Sequence, residues 1–248
     1  PDGRNINEGC GSLHPAVAAR RVVDEGADMG FAFDGDADRC MAVDPSGRVL
    51  DGDYVLYRDA LGRASEGRLP GKVVVGTVMS NLWLERDLRK AGLRFVRAPV
   101  GDRYVLERLQ EEGGVLGGEP SGHILFLDQA TTGDGLLTAL TYAALACRAG
   151  GMDALSEGVT PYPQVLKNIR VARREELASH GAIQSALTRE REALGETGRI
   201  VLRYSGTEPL LRLMVEAETQ EQVNGVIERL AAVLVRELGR AESDEVRK

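Results

Sequence analysis

The chain reads as an α/β protein built from layered, mixed to mostly parallel α/β domains, followed by a small C-terminal α+β domain. Three observations lead there. Between Asp51 and Gly158, short β-branched runs alternate with amphipathic helical stretches, the pattern of a parallel sheet with crossover helices. A proline-bearing stretch, Pro161 and Pro163, then interrupts that alternation. Beyond it the order changes to strand, helix, two strands and helix. The expected organisation is residues 1–50, 51–158, a linker at 159–164, a domain at 165–239 and a charged tail at 240–248.

The first segment reads helix, strand, loop and hairpin. Pro15 stands where a helix begins, a helical pattern covers Ala16 to Glu25, and Gly26 closes it. Met29 to Phe33 is an apolar run expected as a buried strand. Met41 to Val43 and Arg48 to Leu50, joined by Asp44-Pro45-Ser46-Gly47, form an expected hairpin.

In the second segment the helices are expected at Asp53 to Leu61, Leu82 to Ala91, Arg103 to Glu111 and Gly135 to Arg148. Extended runs lie at Lys72 to Thr77, Phe95 to Ala98, Val115-Leu116 and Ile124 to Leu127. The polar stretch Arg63 to Gly71 reads as a loop. Gly67 to Lys72 imitates a phosphate-binding P-loop, but the spacing is one residue short and Val73 replaces the required hydroxyl. After the linker come a strand at Val165 to Val171 and a helix from about Glu175 to Leu194. Strands at Arg199 to Tyr204 and Leu210 to Ala217 follow. The last helix opens with Thr219 and Gln222 at capping-box spacing, and Val223, Val226, Ile227, Leu230, Val233 and Leu234 form its apolar face.

Composition narrows the function. The 248 residues carry a net charge of −7 and only 4% aromatics, which argues against a nucleic-acid surface and against an anionic membrane. No apolar stretch is long enough to span a bilayer, so no membrane partner and a cytoplasmic location are expected. Three cysteines, Cys10, Cys40 and Cys147, lack metal-ligand spacing and read as reduced thiols, with Cys147 in the core.

Three motifs carry chemistry. Phe33-Asp34-Gly35-Asp36-Ala37-Asp38-Arg39 sets three carboxylates at alternate positions in a turn. Aspartates that close repel one another unless a hard cation sits between them, and oxygen-only ligation suits Mg²⁺. An EF-hand fails because its sixth position would be Arg39 and its twelfth Pro45. A solvated acidic turn is the plain alternative. Gly117-Gly118-Glu119-Pro120-Ser121-Gly122-His123 offers three kinds of hydrogen-bonding side chain in a glycine-rich connection, suited to a polyhydroxylated ligand or, equally, to a structural hairpin. Arg203-Tyr204-Ser205-Gly206-Thr207-Glu208-Pro209, with Arg212 after it, reads as an anion nest with arginine support or as a tight turn.

Taken together and in this order, the three motifs resemble the α-D-phosphohexomutase superfamily over nearly the whole chain. The stretches Asp2-Gly3-Arg4-Asn5-Ile6-Asn7, Cys10-Gly11-Ser12, Val100-Gly101-Asp102-Arg103-Tyr104-Val105 and Thr131-Thr132-Gly133-Asp134-Gly135 are most similar to its bacterial amino-sugar branch. The resemblance implies that Asp34, Asp36 and Asp38 ligate Mg²⁺, with Arg39 supporting them. It further implies that Glu119, Ser121 and His123 bind sugar, and that Arg203, Ser205, Gly206, Thr207 and Arg212 bind phosphate. The implied activity is isomerisation of a hexosamine phosphate through a phosphoserine and a bisphosphorylated intermediate. A neutral-sugar mutase and a non-catalytic sugar-phosphate-binding module are the alternatives.

The family's catalytic serine lies in a Ser-His-Asn loop, which this sequence lacks; Ser179-His180 is followed by Gly181. The chain is therefore expected to be the C-terminal portion of such an enzyme. Its implied partners are the missing N-terminal half and the sugar phosphate, with a homodimer left open. His14 and His180 are expected to be structural or superficial. Arg103 reads as a cleft residue or a helix cap, and Asp134 as the residue that orients the following helix.

Overall fold

A computed structural model describes residues 3–205 and 210–239, and the chain divides into two compact units between Thr160 and Pro161. The loop residues Gly206 and Thr207, their neighbours Glu208 and Pro209, and the tail at 240–248 lie outside the described residues.

The first unit opens with α1 (Ala16–Glu25), which ends at Gly26 in the left-handed conformation, as glycine allows without a Cβ penalty. Pro15 flanks α1 immediately before its first helical residue, as expected. An antiparallel sheet follows, β1 (Gly30–Phe33), β2 (Cys40–Val43) and β3 (Val49–Leu50), in that spatial order. Only Ala32 of β1 is buried, so the apolar run there is half covered rather than a core strand.

Next comes α2 (Gly52–Ser65), capped by Asp51, whose carboxylate accepts from the Asp53 amide at 3.0 Å. The helix runs four residues beyond its sequence expectation. Arg63, read as part of a polar loop, is helical and 2% exposed. It is buried because Asp59 and Asp128 both bind its guanidinium, which also lies 5.7 Å from the centre of the Phe126 ring.

A second sheet has the order β5-β4-β6-β7, from β4 (Val73–Thr77), β5 (Arg94–Ala98), β6 (Leu116–Gly118) and β7 (Ile124–Phe126). The β4 strand pairs in parallel with β5 and β6, whereas β6 and β7 form an antiparallel hairpin. Every residue of β4 is buried, the signature of a central parallel strand covered on both faces. The crossovers are α3 (Leu82–Lys90) and α4 (Asp102–Glu112), and Val75 packs with Val105 and Leu109 of α4. Trp83 of α3 lies against Tyr54 and Tyr57 of α2. The unit's last long helix is α5 (Gly135–Ala149). Cys147 on α5 is exposed, not core, and Leu136 and Leu140 are also exposed.

The second unit is a three-stranded antiparallel sheet, β8 (Gln164–Arg170), β9 (Arg199–Tyr204) and β10 (Leu210–Glu216), with β10 in the middle. Two helices, α6 (Gly181–Leu194) and α7 (Gln220–Leu238), pack on it through Ile183, Leu187, Val223, Ile227 and Leu230 against Ile169, Leu211 and Leu213. Each such fully buried side chain contributes about 1.5–3 kcal/mol. The Thr219–Gln222 capping box forms as expected. The α6 helix starts at Gly181, not near Glu175, because Tyr204 Oη bonds both backbone groups of Glu175 and a short 3₁₀ turn precedes the helix.

Candidate metal and sugar-phosphate site

The triaspartate loop follows β1 and is folded tightly enough that Ala37 adopts a positive φ of 57°. Such a conformation costs an L-residue roughly 1–2 kcal/mol. One oxygen from each of Asp34, Asp36 and Asp38 lies within 4.8 Å of the others. Asp34 is buried, and both the Arg39 amide (3.1 Å) and the Arg39 guanidinium donate to it. Burial pushes the Asp34 carboxyl up. The Arg39 amide, the contact with Asp38 and the Arg39 guanidinium outweigh burial and hold it below the usual carboxylate range. Asp38 is pushed up, first by burial and then by the Asp34 carboxyl beside it, against a downward pull from His123. Oδ1 of Asp38 is buried and has no hydrogen-bond partner, with Arg39 Nε 3.5 Å away. Crowded carboxylates with a stranded oxygen fit a small divalent cation, whose charge would offset their mutual repulsion.

Segments that the sequence marks without assigning a role hold this loop. A Cβ at Gly11 would lie 2.5 Å from the Phe33 carbonyl oxygen, and one at Gly35 would lie 2.5 Å from Ile6. The stretch around Asn5 to Ser12 therefore presses directly on the aspartate turn, with the Ser12 amide donating to Phe33 O at 3.1 Å. On another side, the Gly135 amide donates to Ala37 O at 2.9 Å. A methyl group at Gly135 would meet that oxygen at 2.7 Å, so only glycine fits.

The glycine-rich connection is the turn of the β6–β7 hairpin, as its structural reading expects. The Glu119 carboxylate accepts from the Gly101 amide at 2.7 Å and from Ser121 Oγ at 3.2 Å. The hairpin is fastened to the aspartate loop. The Cys40 amide donates to Gly122 O at 3.1 Å, Arg39 and His123 form an antiparallel bridge, and His123 Nδ1 lies 3.0 Å from Asp38 Oδ2. Sequence spacing gives no hint of the Gly101–Glu119 bond, since it joins a loop and a hairpin 18 residues apart.

An open cleft of ≈ 590 Å³ borders the loop, lined by Asp36, Asp38, Thr131, Thr132 and Asp134 among others. Asp134 caps α5, its carboxylate accepting from the Leu137 amide at 3.0 Å. Arg103 points outward and pairs with Glu107 at 2.8 Å. His14 is exposed and His180 lies 3.7 Å from Glu175.

In the second unit, Arg203 and Arg212 are direct cross-strand partners on β9 and β10. Ser205 is buried, and its amide bonds Leu210 O at 2.8 Å, closing the base of the turn. Gly206 and Thr207 belong to the part of that turn outside the described residues.

The chain is a mixed α/β protein in which a three-aspartate loop lies beside a polar hairpin. A family model described as phosphoglucomutase/phosphomannomutase, alpha/beta/alpha domain III, matches residues 51–164. The C-terminal domain of the same family matches residues 166–233. The chain belongs to the phosphohexomutase superfamily.

Among its relatives, the phosphoglucosamine mutase of Solibacter usitatus is 49% identical over 242 residues, covering 96% of this chain and 54% of that protein. A phosphoglucosamine mutase of Thermus thermophilus is 50% identical, covering 94% of this chain and 53% of that protein. The crystal structure of Aspergillus fumigatus N-acetylphosphoglucosamine mutase, in complex with GlcNAc-6P and magnesium, matches with a TM-score of 0.73 at 22% identity. That match covers 94% of this chain and 54% of that one, and at such identity it supports the fold. The chain thus spans about half the length of the curated relatives it matches. Among the described residues, no helix is long and apolar enough to cross a membrane.

Proposed function

We propose that this chain is the metal- and substrate-binding portion of a phosphoglucosamine mutase. The whole enzyme interconverts glucosamine 6-phosphate and glucosamine 1-phosphate through a phosphoserine and a bisphosphorylated sugar, supplying cytoplasmic amino-sugar precursors for the cell wall. The observation that carries this reading is the fastening of the Glu119–Ser121 hairpin to the triaspartate loop within one compact unit. The identity of about half to phosphoglucosamine mutases agrees with it.

Asp34, Asp36 and Asp38 would hold Mg²⁺, which neutralises charge on a phosphoryl group in transfer. Arg39 fixes Asp34 and keeps it ionised. Glu119, already held by the Gly101 amide, and Ser121 present a carboxylate and a hydroxyl to the sugar hydroxyls. Arg203 and Arg212, with Ser205, Gly206 and Thr207, grip the phosphate that is not being transferred. This division of labour fits phosphoryl transfer, in which positioning and charge neutralisation supply most of the rate. The phosphoserine belongs to the remaining half of the enzyme, so the chain alone binds sugar phosphate without turning it over.

Calorimetric titration of the chain with glucosamine 6-phosphate, glucose 6-phosphate and mannose 6-phosphate, with Mg²⁺ present, tests the assignment. Preferential binding of the amino sugar supports it. Equal or tighter binding of a neutral sugar would transfer the chain to the phosphoglucomutase or phosphomannomutase branch.

A further inference from the structure

The helices α2 and α5 begin alike. Each follows an aspartate cap, Asp51 or Asp134, and opens on a buried glycine, Gly52 or Gly135. Each glycine meets one of the two candidate loops. The Gly135 amide donates to the carbonyl of Ala37, the residue of the aspartate turn with the positive φ, at 2.9 Å. A Cβ at Gly135 would also lie 2.8 Å from the Arg39 carbonyl oxygen. The Gly52 amide donates to the Pro120 carbonyl, between Glu119 and Ser121, at 3.2 Å. A Cβ at Gly52 would lie 2.0 Å from the Glu119 carbonyl oxygen. The two helix starts are tied to each other, because Tyr142 Oη of α5 bonds the Leu50 and Asp51 carbonyls just ahead of α2.

We infer that Gly135 and Gly52 are positioning residues of the site, each clamping the backbone of one loop. Gly135 fixes the turn that spaces Asp36 and Asp38, and Gly52 fixes the turn that presents Glu119 and Ser121. The first amides of a helix have no partner within it, so they are available to a neighbouring carbonyl. The caps occupy later amides, those of Asp53 and Leu137, and leave the glycine amides to the loops. Only a residue without a Cβ lets the helix start come this close. With the Gly135 contact gone, Ala37 is released from its left-handed conformation and the carboxylates on either side of it spread. With the Gly52 contact gone, the Glu119 and Ser121 backbone moves while the aspartate turn stays in place. This inference rests on the reading of the aspartate loop as a divalent site and of the hairpin as a sugar site.

The test is a crossed titration of the 248-residue chain. Mn²⁺ alone is followed by electron paramagnetic resonance, and glucosamine 6-phosphate at saturating Mg²⁺ by calorimetry. Gly135→Ala is expected to weaken Mn²⁺ binding by about 10–100-fold, as loss of an outer support does at metal sites, and sugar-phosphate binding by less than about threefold. Gly52→Ala is expected to do the reverse, with sugar-phosphate binding weaker by about tenfold or more. If the added methyl group prevents folding, the caps decide. Asp134→Ala and Asp51→Ala loosen the same helix starts without adding bulk, whereas the Asn variants at both positions keep a good cap. Each Ala variant should then show the same crossed loss relative to its Asn counterpart. A merely structural role would weaken both ligands alike, and that result, or no loss at all, overturns the inference. A wild type that binds no Mn²⁺ would overturn the divalent-site reading, one that binds no sugar phosphate would overturn the hairpin reading, and either takes the inference with it.

Discussion

Arg203 and Arg212 stand directly opposite one another across the β9–β10 ladder. A directly opposite cross-strand pair interacts by roughly 0.2–1 kcal/mol, and in the proposed function both arginines add charge-assisted hydrogen bonds to the substrate phosphate. Replacing Arg203 by Ala should therefore lower affinity for glucosamine 6-phosphate by about tenfold or more. Thermal stability in phosphate-free buffer should change by less than about 1 kcal/mol. Calorimetric titration and scanning calorimetry measure the two effects. Lost stability with unchanged binding would make the pair structural.

Gly122 provides a second test. Its φ is +90°, and a Cβ there would lie 2.2 Å from the Cys40 carbonyl oxygen, at the place where the hairpin meets the aspartate loop. Gly122→Ala is expected to cost more than about 2 kcal/mol, combining backbone strain with overpacking. In urea unfolding the midpoint should fall with little change in slope. A midpoint equal to the wild type's would show that the two loops are not locked together there.

The pH dependence follows from Asp51, the cap of α2. Burial pushes its carboxyl up to about 6, despite hydrogen bonds from the Asp53 and Tyr54 amides. Between about 3.8 and about 6 the folded state holds a proton that the unfolded state has released, so stability falls as pH rises through that window. Asp51→Asn keeps a good cap and removes the titration. Its stability relative to the wild type should therefore rise by on the order of 2 kcal/mol between pH 4 and pH 7. A difference independent of pH would contradict the assignment.

Glu190 provides the opposite sign. Arg229 on α7 donates to both oxygens of this buried α6 carboxylate, at 3.0 and 2.7 Å, and holds it below the usual carboxylate range despite burial. Its stabilisation is present at neutral pH and is lost as pH falls through the folded-state value. Arg229→Met should destabilise the second unit by about 1–2 kcal/mol at pH 7, since the arginine is half exposed. The loss should shrink in acid, as urea unfolding at pH 7 and pH 3.5 would show.

Much of this fold was legible because period and punctuation agreed. The Val73–Thr77 run, the Thr219 capping box and the Gly26 stop each combine pattern with a boundary residue. Arg63 was not legible. Its burial depends on Asp128, 65 residues away, which no local pattern reports. Cys147 was misplaced because α5 is apolar around much of its circumference, so periodicity does not say which side is covered. At the site, alternate spacing was enough to bring Asp34, Asp36 and Asp38 together. The Gly101–Glu119 bond and the His123–Asp38 contact arise from tertiary packing between separate loops.

The most direct measurement is ³¹P NMR of the purified chain with Mg²⁺ and glucosamine 6-phosphate. Saturable shift changes that vanish with EDTA, with no glucosamine 1-phosphate formed, are the predicted result. Catalytic appearance of glucosamine 1-phosphate would contradict the account, since it would require a nucleophile within these 248 residues.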